Sequence, residues 1–142
     1  MKLVRHLLDS KGRNVVSIAP EASVLDAIRL MSDKGIGALV VMRGNSLAGI
    51  VTERDYARKV ILKGRASEAT PVSEIMSVDV VTTSSSESVE KCMNTVTHKR
   101  IRHLPVVDDG KVCGIISIGD LVKAIISDQQ QAIEQLEQYI SG

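Results

Sequence analysis

The chain contains no phenylalanine and no tryptophan, and Tyr56 and Tyr139 are its only tyrosines. A core must therefore be built from aliphatic side chains, and there is no set of aromatic faces on which single-stranded nucleic acid would stack. Cys92 and Cys113 are the only cysteines, too few for a disulfide framework. They read as reduced thiols, as in the cytoplasm. His6, His98 and His103 have no ligand spacing with either cysteine, so no metal is expected. Basic and acidic residues nearly cancel (18 against 17), which argues against a general nucleic-acid or membrane surface. No apolar run approaches the roughly 18 residues of a membrane span. The opening "MKLVRHLLDSKG" is too short and too polar to read as a secretory signal. Neither a Walker-type phosphate loop nor a glycine-framed nucleophile occurs, so nothing points to an enzyme.

What is present is a repeat. The 142 residues suffice for one compact domain with a sizeable core. Sliding the sequence by 65 positions aligns Val15–Asp55 with Val80–Asp120 without a gap, with eleven identities in forty-one positions. "GIVTERD" (49–55) falls on "GIISIGD" (114–120), and the valines at 15, 16, 24 and 41 fall on those at 80, 81, 89 and 106.

Each copy has the same layout. A short β-branched run is followed by an apolar helix face: Val24, Ala27, Ile28, Met31 in one copy and Val89, Cys92, Met93, Val96 in the other. Two strands then flank a tight turn, "RGN" or "DDGK", and a second helix follows, over Thr52 to about Lys63 in the first copy. The expected fold is α+β, two pseudo-symmetric β-α-β-β-α repeats packed sheet to sheet. The expected segments are an N-terminal helix with the first repeat over 1–63, a polar linker over 64–73 carrying Pro71, the second repeat over 74–128, and a helical extension over 129–142.

Thr52 and Asp55, like Ser117 and Asp120, have the spacing of a capping box: a hydroxyl at the helix start and an acid three positions on. That structural role is compatible with a second one. A helix N-terminus suits phosphate, and an aspartate there can accept hydrogen bonds from both hydroxyls of a ribose.

With "AGIVTERDY" and "RHLPVVDDGKVCGIISIGDL" in a β-α-β-β-α repeat, residues 3 to 128 resemble a pair of CBS domains (a Bateman module). The chain is similar to stand-alone CBS-pair proteins of bacteria and plant organelles. The resemblance implies binding of AMP, ADP, ATP, S-adenosylmethionine or a dinucleotide such as NAD in clefts between the repeats, and assembly into a homodimer. It implies that Asp55 and Asp120 hold ribose, with Thr52 and Ser117 near ribose or phosphate. It lines one adenine slot with Ser17, Ile18 and Ile50, and the other with Thr82, Thr83 and Ile115.

The copies differ at the phosphate end. Lys99, Arg100, Arg102 and His103 of the second copy correspond to Lys34, Gly35, Gly37 and Ala38 of the first. Arg102 and His103 match the phosphate-contacting basic pair of related CBS domains, where the guanidinium suits a phosphate bidentately. By that pattern they join the first cleft, with Asp55 and Arg54, whereas the Asp120 cleft faces Gly37 and Ala38. The first cleft is then the better nucleotide site. The tail "DLVKAIISDQQQAIEQLEQYIS" carries an apolar stripe (Val122, Ile125, Ile126, Ile133, Leu136, Ile140) whose second half suits a contact between subunits. The function expected is a non-enzymatic, AMP-sensing regulatory module acting on another protein. The alternatives are an NAD(H) or S-adenosylmethionine module and, behind them, a nucleic-acid binder using Lys99–His103.

Overall fold

A computed structural model describes Lys2–Ser141. Met1 and Gly142, the outer limits of the first and last expected segments, lie outside the described residues. The chain divides into two compact units. One is Val15–Val81; the other joins the stretch up to Asn14 to everything from Thr82 onward. The N-terminal helix was expected with the first repeat; it packs with the second.

In the unit of the first repeat, β1 (Ser17–Ile18) runs parallel to β2 (Ala38–Arg43), which pairs antiparallel with β3 (Ser46–Thr52). Helix α2 (Val24–Lys34) starts at Ser23, whose hydroxyl accepts from the Asp26 amide at 3.1 Å. It ends at Gly35, whose φ of +65° gives the left-handed C-cap that glycine adopts without strain. Val24, Ala27 and Met31 pack on Leu39, Val41, Val51, Val60, Val72 and Ile75, an aliphatic core as the composition requires. Helix α3 (Glu53–Tyr56) is one turn long and continues directly into a π-helical turn, Ala57–Ile61, so the expected second helix is present with a change of winding after Tyr56.

The 64–73 stretch does not behave as a free linker. Amides of Val24 and Leu25 donate to carbonyls of Thr70 and Ser67, Val72 donates to Ala22, and Thr70 and Val72 are buried. Polarity made it look solvated; its backbone pairing ties it to the start of α2.

The other unit repeats the plan. Its β4 (His103–Asp108) and β5 (Lys111–Ser117) form a hairpin, preceded by α4 (Val89–Lys99) and followed by α5 (Ile118–Ser141). The 65-residue offset holds in three dimensions. Ile18 pairs with Val41 as Thr83 bridges Val106, and each hairpin carries its register shift at the same place, Val41/Met42 and Val106/Val107. The run before Thr83, expected as a strand, contributes only that bridge. Asp109 and Gly110 both have positive φ, the requirement of a type I′ turn. Helix α1 (Val4–Lys11) buries Val4, Leu7 and Leu8 in this unit.

Candidate functional site

Each hairpin ends in a corner of the same kind. Thr52 Oγ1 accepts from the Asp55 amide at 3.1 Å, and Asp55 Oδ2 accepts from the Thr52 amide at 3.0 Å and from the Thr52 hydroxyl at 3.1 Å. Ser117 Oγ accepts from the Asp120 amide at 3.2 Å, and Asp120 Oδ2 accepts from the Ser117 amide at 2.8 Å. The capping boxes thus exist in both repeats, and they pin each carboxylate at the point where the last strand turns into a helix.

Each carboxylate also meets an ammonium. Lys59 Nζ, one helical turn on, lies 3.2 Å from Asp55 Oδ1 and donates to the Ile75 carbonyl at 2.8 Å. Lys11 Nζ, at the end of α1, lies 2.6 Å from Asp120 Oδ2 and donates to the Ile115 carbonyl at 2.7 Å. Burial raises the Asp120 pKa, but hydrogen bonds from Lys11 and Ser117 and the lysine charge outweigh it, and the carboxyl titrates below its ordinary range.

Strand alternation sorts the remaining expected residues. Leu39, Val41 and Val51 belong to the core cluster, and cross-strand partners share a face. The opposite face of that sheet therefore carries Ala38 beside Thr52, and Val40 between Ser17 and Ile50 in one row. In the second repeat His103 stands opposite Ser117 and Pro105 opposite Ile115, with the Thr83 amide on the Pro105 carbonyl. Ile18 packs against the core cluster, and the Thr83 hydroxyl lies 3.3 Å from the buried Cys92 sulfur. These two side chains serve the interior, whereas Ser17, Ile50 and Ile115 share a sheet face with the capped corner of their own repeat.

At the expected phosphate end, Arg102 is exposed and His103 half-buried at the start of β4. The Ile118 amide donates to the Arg102 carbonyl, as Glu53 donates to Gly37 in the first repeat. Gly37 differs from Arg102 in its neighbour: a Cβ there would stand 2.8 Å from Oε1 of Glu53. An open groove of about 460 Å³ lies in that unit, lined by Ile28, Met31, Ser32, Gly35, Ile36, Gly37 and Glu53. Gly37 is the only expected residue lining it. Arg54 is exposed on α3.

Sequence reasoning missed both lysines. Lys59 had a local signal, its i+4 spacing from Asp55. Lys11 had none, being more than a hundred residues from Asp120. Cys92 and Cys113 are both free, and burial is the main cause pushing each thiol's pKa up, which favours the thiol over the thiolate. Among the described residues no helix is long and apolar enough to cross a membrane.

Known proteins show the same architecture. A family model described as CBS domain matches residues 5–62 and again 72–127. Over 98% of its length the chain is 36% identical to "CBS domain-containing protein CBSX3, mitochondrial" of Arabidopsis thaliana, covering 72% of that protein. A solved protein with CBS domains from Burkholderia ambifaria is 51% identical, with a TM-score of 0.86, covering 90% of this chain and 96% of that one. The CBS domain pair of protein MJ0100, solved in complex with 5′-methylthioadenosine and S-adenosyl-L-methionine, is 25% identical with a TM-score of 0.79, covering 87% of this chain and 99% of that one.

Proposed function

Because the chain belongs to the CBS-domain family, with two CBS domains in tandem, we propose that it is a non-enzymatic regulatory module that binds an adenosine nucleotide, AMP foremost. The observation that carries this reading is the duplicated corner: a fixed aspartate beside a hydroxyl residue, on the sheet face that also bears Ser17 and Ile50 or Ile115. A carboxylate accepts from the hydroxyls of ribose, and the aliphatic row offers a surface for adenine. Arg102 and His103 supply phosphate donors; Gly37 and Ala38, with Glu53 near Gly37, supply none. The free thiols suit a reducing compartment, the cytoplasm first. Binding shifts the module between conformations only by its differential affinity for them, and a partner protein reads the outcome.

A second reading is a module for S-adenosylmethionine, favoured by the ligands of the MJ0100 pair. NAD(H), which contains an AMP half, belongs to the same test. Thermal shift with AMP, ATP, NADH and S-adenosylmethionine, followed by calorimetry on the best ligand, decides among them. AMP is expected to raise the melting temperature most. Asp55→Ala and Arg102→Ala are each expected to abolish most AMP binding, with Asp120→Ala removing less. No shift with any of the four ligands overturns the reading, and equal losses at the two aspartates overturn the inequality of the repeats.

A further inference from the structure

The ion pairs at Asp55 and Asp120 look alike but are not copies. The repeat offset places Ala124 at the position of Lys59 and Met76 at the position of Lys11. Neither lysine therefore descends from the other through the duplication. One comes from the same helix as its aspartate, the other from α1, yet the donor pattern is the same. Each ammonium gives one N–H to a backbone carbonyl and stands by an aspartate oxygen. In the second repeat Leu8 of the same helix packs closely on the strand that carries Ile115, with its Cδ2 only 2.6 Å from where a Cβ of Gly114 would stand.

The donor arithmetic then restricts what else can bind. A lysine ammonium has three N–H donors. Lys11 commits two of them, and Lys59 commits one to the Ile75 carbonyl and stands in an ion pair with Asp55. The lysine side chains remain 38% (Lys11) and 44% (Lys59) exposed, which leaves donor capacity on each for a ligand oxygen. Asp120 Oδ2 already accepts from Lys11 and from the Ser117 amide, which leaves Oδ1 for a ligand hydroxyl. At Asp55 the Oδ2 atom is filled by the Thr52 amide and hydroxyl, and Oδ1 lies by Lys59. With Oδ2 of each aspartate already filled, a vicinal diol donates to the carboxylate through one of its two hydroxyls, at Oδ1. Its neighbouring oxygen then lies within reach of the adjacent ammonium.

Resting on the adenosine-nucleotide reading, we propose that Lys11 and Lys59 are ligand-binding residues, each completing an ammonium–carboxylate couple that reads a ribose diol as one donor and one acceptor. The couple selects ribose over deoxyribose, because a sugar with one hydroxyl leaves half of it without a partner. Lys11 thereby makes the N-terminal helix part of the second repeat's binding site.

The test is calorimetry on the full chain with AMP, 2′-deoxy-AMP and 3′-deoxy-AMP, with melting temperatures recorded in parallel. Lys59→Met is expected to weaken the Asp55-dependent binding of AMP by about tenfold, and Lys11→Met the Asp120-dependent binding by a similar factor, the size of one charged hydrogen bond. In both variants the preference for AMP over the deoxy analogues falls toward one. Lys11→Arg and Lys59→Arg, which keep the donors, restore most of the affinity. Unchanged AMP affinity in the Met variants overturns the proposal, and so does a parallel loss for all three ligands with the preference intact, which marks a structural role. Indifference of binding to Asp55→Ala and Asp120→Ala is the different result that defeats the underlying reading of the corners.

Discussion

Leu8 packs against the bare Cα of Gly114 so closely that a Cβ there would come within 2.6 Å of its Cδ2. The equivalent Gly49 meets a different element, with the Ser77 carbonyl at 2.7 Å and the Met76 sulfur at 2.8 Å from the same imagined atom. In each repeat a glycine opposite the bulge position admits the segment that covers the last strand. Leu8 is fully buried, and the Ser77 carbonyl is held by its bridge to Ile50, so neither neighbour yields. Gly114→Ala and Gly49→Ala are each expected to destabilise by about 1–3 kcal/mol in urea unfolding. Loss of less than roughly 0.5 kcal/mol at both would show that the covering segments move freely.

Gly119 is the contrasting case. A Cβ there meets nothing closer than Ser117 Oγ at 3.6 Å, and the residue lies in the first turn of α5. Gly119→Ala is expected to stabilise by about 0.5 kcal/mol, because alanine has less chain entropy to lose in a helix.

Much of this was legible because the repeat makes each half a check on the other. The offset read from the two "GI" segments foretold the strand pairings, the caps and both turns. The partner of α1 is not legible, because nothing local in "LVRHLLDSK" says which hairpin it covers. That is decided by the fit of Leu8 over Gly114 and of Lys11 on Asp120, contacts between residues more than a hundred positions apart. The 64–73 stretch misleads for the opposite reason. Its side chains are polar, but its carbonyls and amides pair with the backbone, and composition does not report backbone pairing. Ser17 and Ile18 are adjacent on β1 and so face opposite ways, a separation that period-two alternation makes legible in the sequence.

Arg100 closes α4 with φ +54° and ψ +43°, the conformation that Gly35 adopts at the matching end of α2. An arginine bears a Cβ penalty there that glycine does not. Arg100→Gly is expected to raise stability by roughly 1 kcal/mol, read as an increased denaturation midpoint at unchanged slope. A decrease would mean that the arginine side chain makes a contact worth more than the backbone strain.

Acid stability isolates the Lys11–Asp120 bridge. The Asp120 carboxyl titrates lower in the folded chain than an aspartate does ordinarily, so the bridge stabilises fully above the ordinary range. The contribution disappears as pH falls through the lowered folded value. Both side chains are partly exposed, which limits the effect to about 0.5–1 kcal/mol. Asp120→Asn is expected to lose that amount at pH 7 and to show a shallower decline than the wild type below about pH 4. Parallel acid limbs for the two proteins would assign the decline to other carboxylates.

The far half of α5 sets the last expectation. The helix runs unbroken from Ile118 to Ser141, yet Ile133 (54%), Leu136 (61%) and Ile140 (82%) are exposed along one stripe. A helical extension of this length without tertiary support is marginal in water, and a row of exposed branched residues on it has a natural complement in the same row of a second copy. The full chain is expected to be a homodimer by light scattering, and a chain ended after Ser127 to dissociate at micromolar concentration. The Ile133→Glu, Leu136→Glu double variant, which keeps the helix length, should dissociate in the same range. A truncated chain that stays dimeric would place the subunit contact elsewhere and leave the stripe without that role.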